Sequence, residues 1–310
     1  MKDQIRIKAG ASVANVSCGF DCLGYAIADP NDIVTIKKSD NPEISISIAG
    51  YGKEVIPTLA ENNTAGLAVK SLLTALDIQT GFSIHIEKGI PPGSGMGSSA
   101  ASATAAVEGI NQILGLPLKQ EDLLVHAMAG EVASAGVFHG DNVAPSLLGG
   151  MTLIRSSEPL DILQIPVPEN LWSTVIQVDY TVNTKDAREM LPRSVALKSA
   201  INQAGNLAGF TLGMVNSDFD LISRSMEDLF AEPVRQELIP GYKCVKSSAM
   251  ENGAIGCGIS GSGPAMFAFS KSQKDAETIG NSMVDAFHNV GLISRSYVSL
   301  IDQSGPEILD

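Results

Sequence analysis

Alternation of apolar and polar residues predicts a first strand over Gln4–Lys8, with Ile5 and Ile7 on one face. Two more strands are expected at Asp32–Lys38 and Ile44–Ile48, with Asn41-Pro42 as punctuation between them. The spacing of Leu67, Val69, Leu72, Leu73 and Leu76 predicts an amphipathic helix over Asn63–Leu76. Gly81–Lys88 returns to period two, with Phe82, Ile84 and Ile86 sharing a face. A glycine-rich loop follows, and then Ala100–Val107, a helical run built almost wholly of Ala, Ser, Thr and Val. Side chains that small let other elements approach closely, so this helix is expected to be buried. Lys119–Ala135 predicts another helix, with Leu123, Leu124, Ala127, Met128 and Val132 on its apolar side; His139–Gly150 reads as a shaped loop and Gly150–Ile154 as a strand.

Polar residues and proline between Ser156 and Asp161 mark the expected domain boundary, dividing the chain into 1–156 and 157–310. Beyond it, strands are expected at Ile162–Val167 and Trp172–Asp179, and a helix starts within Asn183–Pro192. Helices follow at about Ser194–Val215 and Asp218–Asp228. Ala254–Phe269 reads as strand, turn, strand; a helix over Lys274–Val290 and a strand over Arg295–Ile301 complete the half. Paired strands with helices between them imply a mixed α+β sandwich. Gly256, Gly258 and Gly261 satisfy the dinucleotide spacing, but Pro264 and a strand-like run follow where that fingerprint needs a helix, so the segment reads as a tight loop between strands.

Composition narrows the function. With 44% hydrophobic and 18% charged residues over 310 positions, the chain is an ordinary globule long enough for two domains. A net charge of −13 argues against nucleic acid as a partner, while leaving room for a small anion held by local N–H groups and a few cations. No apolar run approaches a membrane span and the N-terminus has no signal core, so a cytoplasmic protein is expected. Cys18, Cys22, Cys244 and Cys257 fit neither a disulfide framework nor a zinc site and read as reduced thiols.

The chemistry concentrates in Ile90–Ala101, IPPGSGMGSSAA, set between a strand and a helix. Gly93, Gly95 and Gly97 clear side chains from the backbone and permit positive φ, while Ser98 and Ser99 stand at a helix start with unpaired N–H groups. A phosphate is the natural occupant, although no Walker lysine is present anywhere. Asn15 and Asp21 are polar islands that either cap turns or meet a ligand. Glu131, in a small-residue apolar segment, is either exposed or buried with a cation. His139 is isolated beside Asp141 and Asn142, with no nucleophilic or zinc constellation around it.

Together these segments resemble the GHMP small-molecule kinase superfamily, and within it the homoserine kinase branch. PPGSGMGSSAA resembles the family's Pro-x3-Gly-Leu-Gly-Ser-Ser-Ala-Ala nucleotide motif, and SVANVSCGFDCLG resembles the branch segment Ser-Ala-Asn-Leu-Gly-x-Gly-Phe-Asp. DNVAPSLLGG, NTKDAREMLP, EPVRQELIP and SGSGP resemble further family segments in the same order. Gly10, Val13, Val16-Ser17-Cys18, Met96 and Gly140 depart from the usual residues, none of them at a position assigned a polar role.

The resemblance implies an α+β, two-domain GHMP kinase fold: a nucleotide-binding N-terminal domain like ribosomal protein S5 domain 2, and a ferredoxin-like α/β sandwich. It implies ATP-dependent phosphorylation of the L-homoserine hydroxyl, a step of threonine biosynthesis, by a homodimer. Pro91, Pro92, Gly93, Ser94, Gly95, Met96, Gly97, Ser98, Ser99, Ala100 and Ala101 would hold ATP. Ser99 (or Ser98) and Glu131 would hold Mg²⁺. Asp21, with Asn15 and Asn142, would meet the substrate ammonium, Arg188 and Arg235 its carboxylate, and Thr184 its hydroxyl. Glu131, Ser99 and Asn142 are thus the expected catalytic group. Mevalonate kinases place an aspartate base where this chain has Asn142, so no general base is expected here. Kinases for mevalonate, shikimate or a sugar, and a catalytically silent ligand sensor, are the rival readings.

Overall fold

The computed structural model describes residues 3–135 and 140–309. A first sheet begins with β1 (Gln4–Ala14), β2 (Leu23–Ser39) and β3 (Ile44–Gly50), followed by helix α1 (Thr64–Ala75) and strand β4 (Gly81–Lys88). Helices α2 (Ser98–Ile113), α3 (Gln120–Ala135) and α4 (Gly140–Leu148) cover it, and the hairpin β5 (Met151–Ser157) and β6 (Leu160–Ile165) extends it. Alternation in β1, β2 and β4 turns Ile5, Ile7, Val34, Ile36, Phe82, Ile84 and Ile86 into one buried face. The core of this half is closed by α2, whose small residues let α1, α3 and α4 pack on it; a side chain at Gly109 would overlap Ile36. The β1–β2 register slips at Gly10/Ala11, a bulge that lets β1 run on beyond its expected end at Lys8.

The chain then forms β7 (Trp172–Val178), α5 (Thr184–Glu189), α6 (Leu197–Asn216), α7 (Phe219–Ser225), α8 (Glu232–Arg235) and α9 (Tyr242–Glu251). Strands β8 (Gly256–Ile259) and β9 (Met266–Ser270), helix α10 (Gln273–Asn289) and strand β10 (Ser294–Leu300) complete a four-stranded antiparallel sheet, ordered β10-β7-β9-β8. Its outer face packs on α9 and α10 through Ile176, Met266, Met283 and Phe287. Its inner face sends Phe267 and Phe269 against Tyr25 of β2, and the Tyr25 hydroxyl meets Ser173 Oγ at 2.8 Å. The two sheets therefore share a continuous core.

Two sequence expectations are corrected here. His139–Gly150 is not a loop throughout: Gly140–Leu148 is helix α4, in which Pro145 removes one N–H and Gly24 of β2 lies so close that any side chain there would overlap the Asp141 carbonyl. His139 itself lies outside the described residues. The strand expected at Ile162–Val167 belongs to the first sheet, not the second, because β6 pairs with β5 along its length. The expected boundary at 156/157 thus falls near the end of β5, within the β5–β6 hairpin, and β11 (Glu307–Ile308) returns to pair with β1.

Candidate active site

The strand-to-helix junction sets one wall of a cleft with a cavity of about 390 Å³. Gly93, Gly95 and Gly97 all take positive φ, at 68°, 82° and 67°, and Gly97 is the N-cap of α2. A side chain on Gly97 would overlap Ser12 Oγ, and one on Gly95 would come within 2.5 Å of the Ser260 carbonyl. The loop is therefore pinned between β1 and the β8–β9 turn, as Ala265 N–H→Ser94 O (3.1 Å) and Ser260 Oγ→Gly95 O (2.7 Å) confirm. Ser98 and Ser99 have different tasks. The Ser98 hydroxyl is spent on the Ile90 carbonyl at 2.7 Å, whereas Ser99 is exposed to the cleft.

Behind the loop lies a buried cluster that sequence reasoning missed. Lys88 Nζ pairs with Asp32 Oδ2 and donates to the Ser98 carbonyl at 2.6 Å and to Ser102 Oγ at 2.8 Å. Asp32 Oδ1 accepts the Gly89 and Ile90 N–H groups, both at 3.1 Å, so it fixes the entry into the loop. Burial pushes the Lys88 ammonium below the usual lysine range, and the Asp32 charge opposes the shift. Lys88 ends a strand and Asp32 starts an alternating run, so neither pattern signals burial or pairing across 56 positions.

Glu131 on α3 is 4% exposed and lines the cleft, which decides the sequence alternative for burial with a cation. Burial raises its pKa, while a hydrogen bond from Ser99 and the Lys88 charge lower it. Among the described residues no three His, Cys, Asp or Glu side chains cluster as a metal cage. A buried carboxylate beside a cleft-facing hydroxyl still fits Mg²⁺, which takes few protein ligands and keeps waters and phosphate oxygens.

The same cavity is lined by Asn15, Asp21, Asn142, Thr184, Arg235, Gly261 and Ser262. Asn15 takes φ 55° and organises its loop: its Oδ1 accepts the Asp21 N–H at 2.8 Å and its Nδ2 donates to the Gly261 carbonyl at 3.0 Å. Asp21 pairs with Arg188 Nη1 at 2.7 Å, so two residues assigned to opposite ends of the substrate are neighbours. Arg235 donates to the same Gly261 carbonyl at 3.0 Å, and Asn142 Oδ1 accepts from Ser12 Oγ at 2.9 Å. Thr184 and Ser262 hydroxyls lie 3.4 Å apart. The β8–β9 turn is the tight loop the sequence suggests, and it lines the cleft through Gly261 and Ser262. Pro91, Ala100 and Ala101 stand in the loop and first turn of α2 but do not line the cavity.

The model for the GHMP kinases N-terminal domain matches residues 63–150, and that for the GHMP kinase C-terminal domain matches 212–289. A homoserine kinase of Chlorobium phaeobacteroides is 41% identical, covering 98% of this chain and 99% of its own. One of Methanococcus vannielii is 42% identical over 87% of this chain and 89% of its own. The crystal structure of homoserine kinase from Cytophaga hutchinsonii superposes with a TM-score of 0.97 at 46% identity, covering 100% of this chain and 98% of that one. L. major mevalonate kinase shares the fold at a TM-score of 0.74 and 15% identity. Sequence likeness sustained along nearly the whole chain, on the same two-domain scaffold, makes it a member of the homoserine kinase family of the GHMP kinases.

Proposed function

We propose that the cleft is where this chain performs the family's reaction, ATP-dependent phosphorylation of the L-homoserine side-chain hydroxyl. The observation that carries the assignment of parts is the single cavity joining the Gly93–Gly97 loop and Glu131 to Asn15, Asp21 and Arg235. Loop amides and the start of α2 hold the ATP phosphates. Ser99 and Glu131 would hold Mg²⁺, which when bound would supply neutralisation of phosphate charge. Asp21 takes the substrate ammonium and Arg188 with Arg235 its carboxylate, a planar fork to a planar anion. Thr184 orients the hydroxyl. Asn142, with its Oδ1 taken by Ser12, offers its amide donor toward the reacting groups.

Positioning and charge stabilisation then carry phosphoryl transfer, and the hydroxyl proton leaves late, to solvent or phosphate. A homodimer and a cytoplasmic setting belong to the same reading; static light scattering tests the first. ADP release with Mg-ATP, measured across homoserine, mevalonate, shikimate and galactose, tests the whole. Release with homoserine alone is expected; release with another acceptor, or with none, overturns the assignment.

A further inference from the structure

Two guanidinium groups converge on one aromatic ring. Arg188 on α5 and Arg235 on α8 lie far apart in sequence, yet their Cζ atoms sit 5.7 Å and 5.2 Å from the centroid of Phe20. Like charges so placed repel: after burial, which is the larger cause, the nearness of Arg188 helps push Arg235 below the usual arginine range. The π face of Phe20 offsets that repulsion, as do Asp21 beside Arg188 and the Gly261 carbonyl beside Arg235.

The ring is held in place by its own loop. Ser17 and Asp21, on either side of Phe20, take φ of 47° and 56°, and Gly19 N–H→Val16 O and Leu23 N–H→Gly19 O, both 2.9 Å, close the turn. A side chain at Gly19 would overlap Leu23, so the turn packs tightly against the start of β2. Phe20 is only half-buried, whereas Phe82, Phe210, Phe267, Phe269 and Phe287 are wholly inside. This aromatic faces the arginines instead of filling the core.

We propose that Phe20 is a positioning residue for substrate selection, its ring holding Arg188 and Arg235 as one fork for the carboxylate of the amino-acid substrate. The proposal rests on the reading of those arginines given above. An aliphatic side chain would fill the volume without offering a π face, so the forks would separate.

Steady-state kinetics of Phe20→Leu and Phe20→Tyr test it, with homoserine and with 3-aminopropan-1-ol, which lacks the carboxylate. In F20L the KM for homoserine is expected to rise about five- to thirtyfold, the weight of one or two such contacts. KM for ATP, and kcat/KM for the aminopropanol, should stay within about twofold of wild type, and F20Y should restore the homoserine KM. Equal losses with both acceptors, or an unchanged homoserine KM, overturn the proposal. If F20L does not fold, Phe20→Met carries the same expectations. Arg188→Gln and Arg235→Gln separate the two readings: if neither raises the homoserine KM, the fork assignment fails, and if they do while F20L does not, only the role of Phe20 falls.

Discussion

Asp141 stands behind Asn15: its Oδ2 accepts the Asn15 N–H at 3.2 Å, and it is 2% exposed while Asn15 lines the cleft. The carboxylate next to Asn142 therefore supports the Asn15 loop and does not line the cleft. Burial, then the charge of Asp21, pushes its pKa up to about 7 from an ordinary 3.8, against the opposing Asn15 N–H and Arg235.

A raised folded-state pKa means that the neutral acid is the form the fold favours. That contribution is complete below the unfolded pKa and is lost as pH climbs to the folded one, here from about 4 to about 7. Asp141→Asn removes the loss while keeping an acceptor for Asn15. The melting temperature of D141N relative to wild type should thus rise between pH 5 and pH 8 by several degrees, at roughly 2–4 °C per kcal/mol. Turnover should stay within about tenfold, because a general base would contribute about 10²–10⁴. Collapse of kcat by many orders with homoserine binding intact would show Asp141 to be that base.

Lys88 and Asp32 are mutually dependent. Lys88→Met leaves Asp32, wholly buried, facing Ser102 and two backbone N–H groups without its cation. Breaking a buried pair by removing one partner costs about 3–5 kcal/mol, so K88M should unfold at markedly lower urea. The double variant Lys88→Met with Asp32→Asn should recover part of the loss, since no unpaired charge is left. A K88M midpoint equal to wild type would sink the coupling.

Glu131, on the role proposed for it, is expected to trade stability for chemistry. Its pKa is raised by burial, so at neutral pH its charged form costs the fold free energy that a neutral isostere would not. Glu131→Gln should raise the melting temperature at pH 7.5 while lowering kcat by about 10²–10³ and weakening the dependence of ATP binding on Mg²⁺ in calorimetry. Unchanged Mg²⁺ dependence would remove Glu131 from the metal site.

How far these relationships could be read beforehand depends on their range along the chain. The strand–loop–helix around Gly93–Ser99 was legible because period two, alternating glycines and a run of small residues are local signals. Helix α4 was not, because Gly140 at its start and Pro145 inside it carry the marks of a loop, and Gly24 of β2 leaves room for the helix to pack close. Lys88–Asp32 and Arg188–Asp21 join residues 56 and 167 positions apart, and no local pattern encodes such pairing. Glu131 lay between: the pattern posed burial or exposure, and only the packing of α3 over the cleft chose.

Gly97 connects both halves of the site through sterics alone. At φ 67° it is in the left-handed region, and its missing side chain leaves room for Ser12 Oγ, which in turn holds Asn142 Oδ1 at 2.9 Å. Gly97→Ala adds two separable penalties. The left-handed conformation costs an L-residue about 1–2 kcal/mol, and the methyl group would drive Ser12 away from Asn142. In Gly97→Ala the KM for ATP and kcat should both worsen, the first through the loop and the second through Asn142. Adding Ser12→Ala should relieve the overlap without restoring the hydrogen bond, so ATP affinity should recover in part while kcat stays low. A full recovery of kcat in the double variant would mean that the Ser12–Asn142 hydrogen bond has no part in turnover.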